Sequence, residues 1–130
     1  MNPRVTDSTY REGRLRKARE FAQAASLFID ETSESVELRD AYVTLAVHSG
    51  IASGDVICAN VLGEYSAGDS HNAAASLLER ADPKAGRLLA RLLGLKTKAG
   101  YGHNAVSNRE VRTAYTSHVE LLDRAEQGLI

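Results

Sequence analysis

Apolar residues recur along most of this chain at steps of three and four, the spacing of a helix that buries one face. The longest such run, residues 36–62, carries two stripes. Leu38, Tyr42, Leu45, Ser49, Ala52, Val56 and Ala59 form one; Val43, Val47, Gly50, Gly54, Ile57 and Val61 form the other. A helix apolar on two sides is a central helix, covered from both. The small residues between 49 and 54 let another backbone approach closely. Such packing would offset the ~1 kcal/mol of helix propensity that each glycine gives up.

The remaining elements follow in order. A first helix is predicted over residues 8–31, with Leu15, Ala18, Ala22, Ala25 and Ile29 inward and Phe21 and Phe28 beside them. A polar turn over 31–37 leads to the central helix, with Ser33 or Ser35 as its N-cap. After Leu62 comes a Gly/Ser/Asp-rich turn, then a short helix capped by Asp69 or Ser70, with Ala74, Leu77, Leu78 and Ala81 inward. Asp82-Pro83 is a cap followed by proline at the first helical position. The leucine-rich helix it opens is expected to run to Ala99 and stop at Gly100 and Gly102. Ser107 and Glu110 have capping-box spacing and open a last helix bearing Val111, Tyr115, His118, Leu122, Ala125 and Leu129 on one stripe. No strand-like alternation is visible, and residues 1–7 read as a loose tail. The predicted fold is all-α: an up-and-down bundle of four long helices plus one short helix, forming a single domain over residues 8–130.

Composition narrows the function classes only slightly. The chain has 130 residues, enough for one core, and a net charge of -1, so no global field favours nucleic acid or membrane. No apolar run reaches the ~20 residues of a membrane span, and the charged N-terminus lacks the pattern of a signal peptide. A cytoplasmic location is expected. Cys58 is the single cysteine; inside the central helix it reads as a buried, inert thiol. No phosphate loop, metal-ligand spacing or Ser/His/Asp set is present, so no metal and no cofactor is expected.

The run AVHSGIASGDVICANVLGEYSAGDSHNAAASLL joins a small-residue helix through a turn to a short helix. It is followed by a leucine-rich helix ending LKTKAGYGH and a capped helix EVRTAYTSHVELLDRA. Together, over roughly residues 10–128, these resemble HEPN domains, small helical bundles found beside nucleotidyltransferases and in toxin–antitoxin and defence systems. The resemblance implies a homodimer that binds or acts on RNA or nucleotides, with a nucleotidyltransferase-type antitoxin as a possible partner. Active members pair an Arg with a His a few residues later as a metal-independent ribonuclease. Here the matching region holds Lys96, Lys98, Tyr101 and His103. Lys98 and His103 have the gap, but a lysine cannot hold a phosphate at two points as a planar guanidinium does. The expectation is therefore a binding protein without nuclease activity, its ligand groove lined by these four residues. An active endoribonuclease, with Lys98 in place of the arginine and His103 transferring the proton, is the alternative.

Other chemistry is sparser. Arg112 and His118 also match the gap, but six residues place them ~120° apart around one helix, and His118 lies on the apolar stripe. His48 and Asp55, with Asp40 and Thr44, share one side of the central helix. A histidine and a carboxylate are the raw material of a general base or a metal site, but two groups are too few to define either, and a polar strip facing a groove or a dimer partner is the preferred reading. His71, at the start of the short helix, suits a bond to free backbone groups. The first helix carries Arg11, Arg14, Arg16, Lys17 and Arg19, either a phosphate-binding ridge or a solvated face. A third reading is a structural protein whose second central stripe docks another chain.

Overall fold

The helical runs become five helices in the computed structural model of the chain, which describes residues 3–30, 35–36, 38–66 and 70–128. They are α1 (Ser8–Ser26), α2 (Arg39–Leu62), α3 (His71–Ala81), α4 (Pro83–Tyr101) and α5 (Asn108–Gln127). The fold is all-α, four long helices and a short one. Where the sequence supplies a cap, the helix starts at it. The Asp7 carboxylate accepts from the Tyr10 N–H at 2.8 Å, the Ser70 hydroxyl from Ala73, and Asp82 from Ala85 just after Pro83 enters α4. Both arms of the Ser107–Glu110 capping box are formed at α5. Asp69, the other cap considered for α3, and Leu129, placed on the stripe of α5, lie outside the described residues.

α2 is the centre of the bundle, and both its stripes are buried or part-buried along their middle, with Leu38 and Val61 exposed at their ends. On one side the Ser49 hydroxyl donates to the Ala18 carbonyl at 2.9 Å, which draws α1 onto the small-residue segment. On the other, a Cβ at Gly50 would collide with the Leu92 side chain, and one at Gly54 would stand 3.0 Å from Leu78 Cδ2. The glycines thus admit leucines of α3 and α4, and that burial offsets the lost helix propensity. From Val43 to Ile57 the second stripe is therefore covered by the chain's own helices, which corrects the third reading, a partner chain docked along it. Among the described residues α2 is the one helix long and apolar enough to cross a membrane, but 61% of that window is buried inside the bundle.

The structure corrects the sequence expectations at five boundaries. Residues 3–5 of the expected tail form β1 (Pro3–Val5), antiparallel to β4 (Glu64–Ser66), with Arg4 opposite Tyr65; Met1 and Asn2 lie outside the described residues. α1 stops at Ser26 rather than residue 31. The Ser26 hydroxyl turns back to the Gln23 carbonyl at 2.6 Å, and the Leu27 and Phe28 N–H groups close three-residue turns onto Ala24 and Ala25. The β-branched Ile29 then pairs with Val36 in a small ladder of β2 (Ile29–Asp30) and β3 (Ser35–Val36). Ser35 is thus a strand residue and not the cap of α2, while Ser33 lies outside the described residues. Instead, α2 begins after Leu38, a left-handed residue at φ 54° with no side-chain cap, a conformation costing about 1 kcal/mol. At the other end of the bundle α4 runs through Gly100 to Tyr101, because the Gly102 N–H still reaches the carbonyls of Thr97 and Lys98. Tyr101 is the last helical residue, two beyond the expected end at Ala99.

Candidate functional site

α4 has no acidic residue between Pro83 and Tyr101 but five cations: Lys84, Arg87, Arg91, Lys96 and Lys98. At ~100° per residue, Lys84, Arg87, Arg91, Gly94, Lys98 and Tyr101 fall on one arc of the helix. Leu88, Leu89 and Leu92 occupy the opposite, buried side. Lys84, Arg87, Arg91 and Gly94 are exposed, and so are Ala90 and Thr97 between them. Among the described residues no carboxylate lies within ion-pairing distance of Lys84, Arg87 or Arg91. A Cβ at Gly94 would touch nothing, so the ridge has a flat place where a ligand can approach the backbone. At its end Tyr101 is 83% exposed, its ring faces open to stacking.

The four residues expected to line one groove do not converge. Lys96 and Lys98 are two apart and so face ~200° apart around the helix. Lys98 Nζ reaches Glu110 Oε1 at 2.8 Å, the same oxygen that accepts from the Ser107 N–H. The Lys98 ammonium, and after it the Ser107 N–H, hold the Glu110 carboxylate down to about 2. Lys98 is thereby a tie between α4 and the cap of α5. Lys96 turns the other way, its Nζ 2.6 Å from Nε2 of His71. His103 is exposed in the connector after Gly102, and no contact joins it to Lys98 among the described residues.

The secondary candidates also separate. Arg112 is exposed, whereas His118 is 4% exposed and lies against Tyr42, with Tyr42 Oη 3.3 Å from Nε2. Burial pushes the His118 imidazole down to about 4, and its Nδ1 has no partner among the described residues. It is a neutral core histidine. The side of α2 expected as one polar strip is divided among neighbours. Asp40 accepts from the Val106 N–H at 2.9 Å and Thr44 donates back to the Asp40 carbonyl. His48 stacks on Phe21, centroids 5.2 Å apart, while Asp55 pairs with Arg14 at 2.8 Å. Burial raises the Asp55 carboxyl against the pull of Arg14 and of the Tyr10 hydroxyl, and Tyr10 in turn stacks on Tyr65. His48 and Asp55 therefore do not meet as a base pair. Cys58 is buried, and burial pushes its thiol up to about 12.

Lys84, Arg87 and Arg91 are absent from the sequence expectation, which rests on the end of α4 alone. The signal was there: nineteen residues with five bases and no acid. The approach of Lys96 to His71 left no sequence signal, since it depends on how α3 folds back along α4. Among the described residues no three His, Cys, Asp or Glu side chains gather as a metal ion would require. Comparison with protein-family models, with curated proteins and with solved structures finds no match.

Proposed function

We propose that this chain is a HEPN-like, homodimeric binding protein that holds single-stranded RNA along the outer face of α4 without cleaving it, in the cytoplasm. The observation that carries this reading is the exposed, acid-free ridge of Lys84, Arg87 and Arg91 leading to Tyr101. Phosphates would contact the cations, the small residues at 90, 94 and 97 would leave room for the backbone, and a base would stack on Tyr101. The five-helix architecture is compatible with the resemblance. Loss of cleavage follows from Lys98, the residue in the place of the catalytic arginine, being spent on Glu110.

Fluorescence anisotropy with a labelled single-stranded RNA tests the proposal. The double variant Arg87→Glu/Arg91→Glu is expected to weaken binding at least ~10-fold. The slope of log affinity against log salt should fall by roughly 0.7 for each phosphate that is no longer neutralised. RNA incubated in EDTA should remain intact with the wild type. Cleavage that disappears in His103→Ala would instead establish the ribonuclease, and a monomer in light scattering would count against the HEPN-like dimer.

A further inference from the structure

α5 is held to the bundle unevenly. Its buried stripe is Val111, Ala114, His118, Leu121 and Ala125. On one flank two ion pairs tie it to α4, Glu110 with Lys98 and Arg124 with Asp82, the cap of that helix. At ~100° per residue, Arg112, Tyr115, Val119, Leu122 and Glu126 run along the opposite flank. Tyr115 and Leu122 thus stand beside the buried stripe and not on it. Tyr115 is 42% exposed and Val119 44%; Arg112 is exposed and Leu122 half-buried. Among the described residues, one polar side-chain contact crosses from this flank to α1, Glu126 with Arg19 at 3.4 Å. Singly exposed apolar side chains are ordinary on any surface. These recur at steps of three, four, three and four, the spacing that seats one helix against another.

We infer that this seam is where two copies of the chain pair, α5 against α5 and antiparallel, across a two-fold axis at Val119. The inference deepens the homodimeric part of the proposed function and rests on it, but not on RNA binding. Charge selects the occupant. Arg112 lies seven residues before Val119 and Glu126 seven after. The two-fold therefore brings each Arg112 against Glu126 of the other copy, and lays Tyr115 beside Leu122 of that copy. A parallel pairing would set like charges against each other at both ends, which is unfavourable. Among the described residues Arg112 has no carboxylate partner within its own chain, and Glu126 holds Arg19 only through an exposed contact. With a base at one end, an acid at the other and apolar side chains between, the seam is self-complementary, as an isologous contact requires. α4 packs on the other flank, so both copies keep their basic ridge open. A single helix pair is at the small end of stable interfaces, and a dissociation constant on the order of micromolar is expected.

Sedimentation velocity from about 1 to about 200 µM tests the pairing. The wild type is expected to pass from monomer to dimer. Val119→Arg should stay monomeric at every concentration with wild-type helicity in circular dichroism, since the position is 44% exposed. Arg112→Glu and Glu126→Arg should each weaken association at least ~10-fold, and the double variant should regain most of it. The two residues stand ~21 Å apart along one helix, so that recovery can come only from contact between copies. Mild oxidation should cross-link Val119→Cys to its copy, Cys58 being buried. A dimer that survives Val119→Arg, or a double variant that stays as weak as its parents, would overturn the α5 interface and leave homodimerisation standing. A wild type that remains monomeric would overturn the pairing and the homodimeric reading together, while RNA binding by that monomer would still uphold the role of the α4 ridge.

Discussion

α1 and α4 each carry five bases, yet they spend them differently. On α1 the cations are largely absorbed by the fold. Arg14 is bound to Asp55, Arg11 reaches the Asn60 side-chain carbonyl, and Arg19 reaches Glu126. On α4 only Lys98 has a carboxylate partner among the described residues. Lys84, Arg87 and Arg91 face water along an acid-free stripe. An equal number of bases thus yields an internal brace on α1, which also carries Glu12 and Glu20, and an external surface on the acid-free α4. The partners decide which, not the residue type. An ion pair that is part-buried is expensive to break, whereas an exposed unpaired cation contributes almost nothing to folding and remains available to a ligand.

The largest effect should come from cutting the brace. Arg14→Met leaves the Asp55 carboxylate buried without its partner and is expected to cost about 3 kcal/mol, measurable by urea denaturation. A loss no larger than that of an exposed cation would erase the contrast between the helices. A similar magnitude should appear in the response to acid, this time from a histidine turned inward. The His118 imidazole is held at about 4 when folded, against 6.5 in the open chain. The unfolded state therefore binds more protons between these values. Stability should be full above pH ~6.5 and fall by about 3 kcal/mol as pH drops to ~4. His118→Gln, which can still bond Tyr42 but does not titrate, should lose that slope. If wild type and variant decline in parallel, His118 is not its source.

Two glycines sharpen the difference between the inner and outer sides of α4 itself. A Cβ at Gly86 would come within 2.6 Å of the Glu79 Cα on α3, while one at Gly94 meets nothing. Gly86→Ala should destabilise by about 2 kcal/mol through a forced backbone shift. Gly94→Ala should stabilise by up to about 1 kcal/mol through helix propensity; opposite signs in thermal melts would check both. The smallest effect belongs to the ridge. Arg87→Glu/Arg91→Glu should leave the melting midpoint within ~2 °C of wild type, so that weaker RNA binding reports on the surface itself and not on the fold.

Much of this architecture is legible in the chain alone. Helical periodicity in 36–62 marks a helix to be buried on both sides, and Ser70, Asp82-Pro83 and Ser107–Glu110 carry start signals that work through local hydrogen bonds. Such signals act within three or four residues, so one chain suffices to read them. The ladder of Pro3–Val5 with Glu64–Ser66 joins segments some sixty residues apart, and nothing in either stretch names the other. The left-handed start at Leu38 is likewise imposed on a residue that does not favour it.

The candidate site divides along the same line. Sequence alone determined that α4 would be basic on one side and leucine-rich on the other, because charge and periodicity are properties of the chain itself. Tertiary structure alone decided that Lys98 would be consumed by Glu110, that Lys96 would turn away toward His71, and that Asp55 would answer Arg14 instead of His48. The physical reason is range: a helix is specified by neighbours a turn away, whereas the partner of a charge is whichever group the packing of another helix brings within a few ångströms.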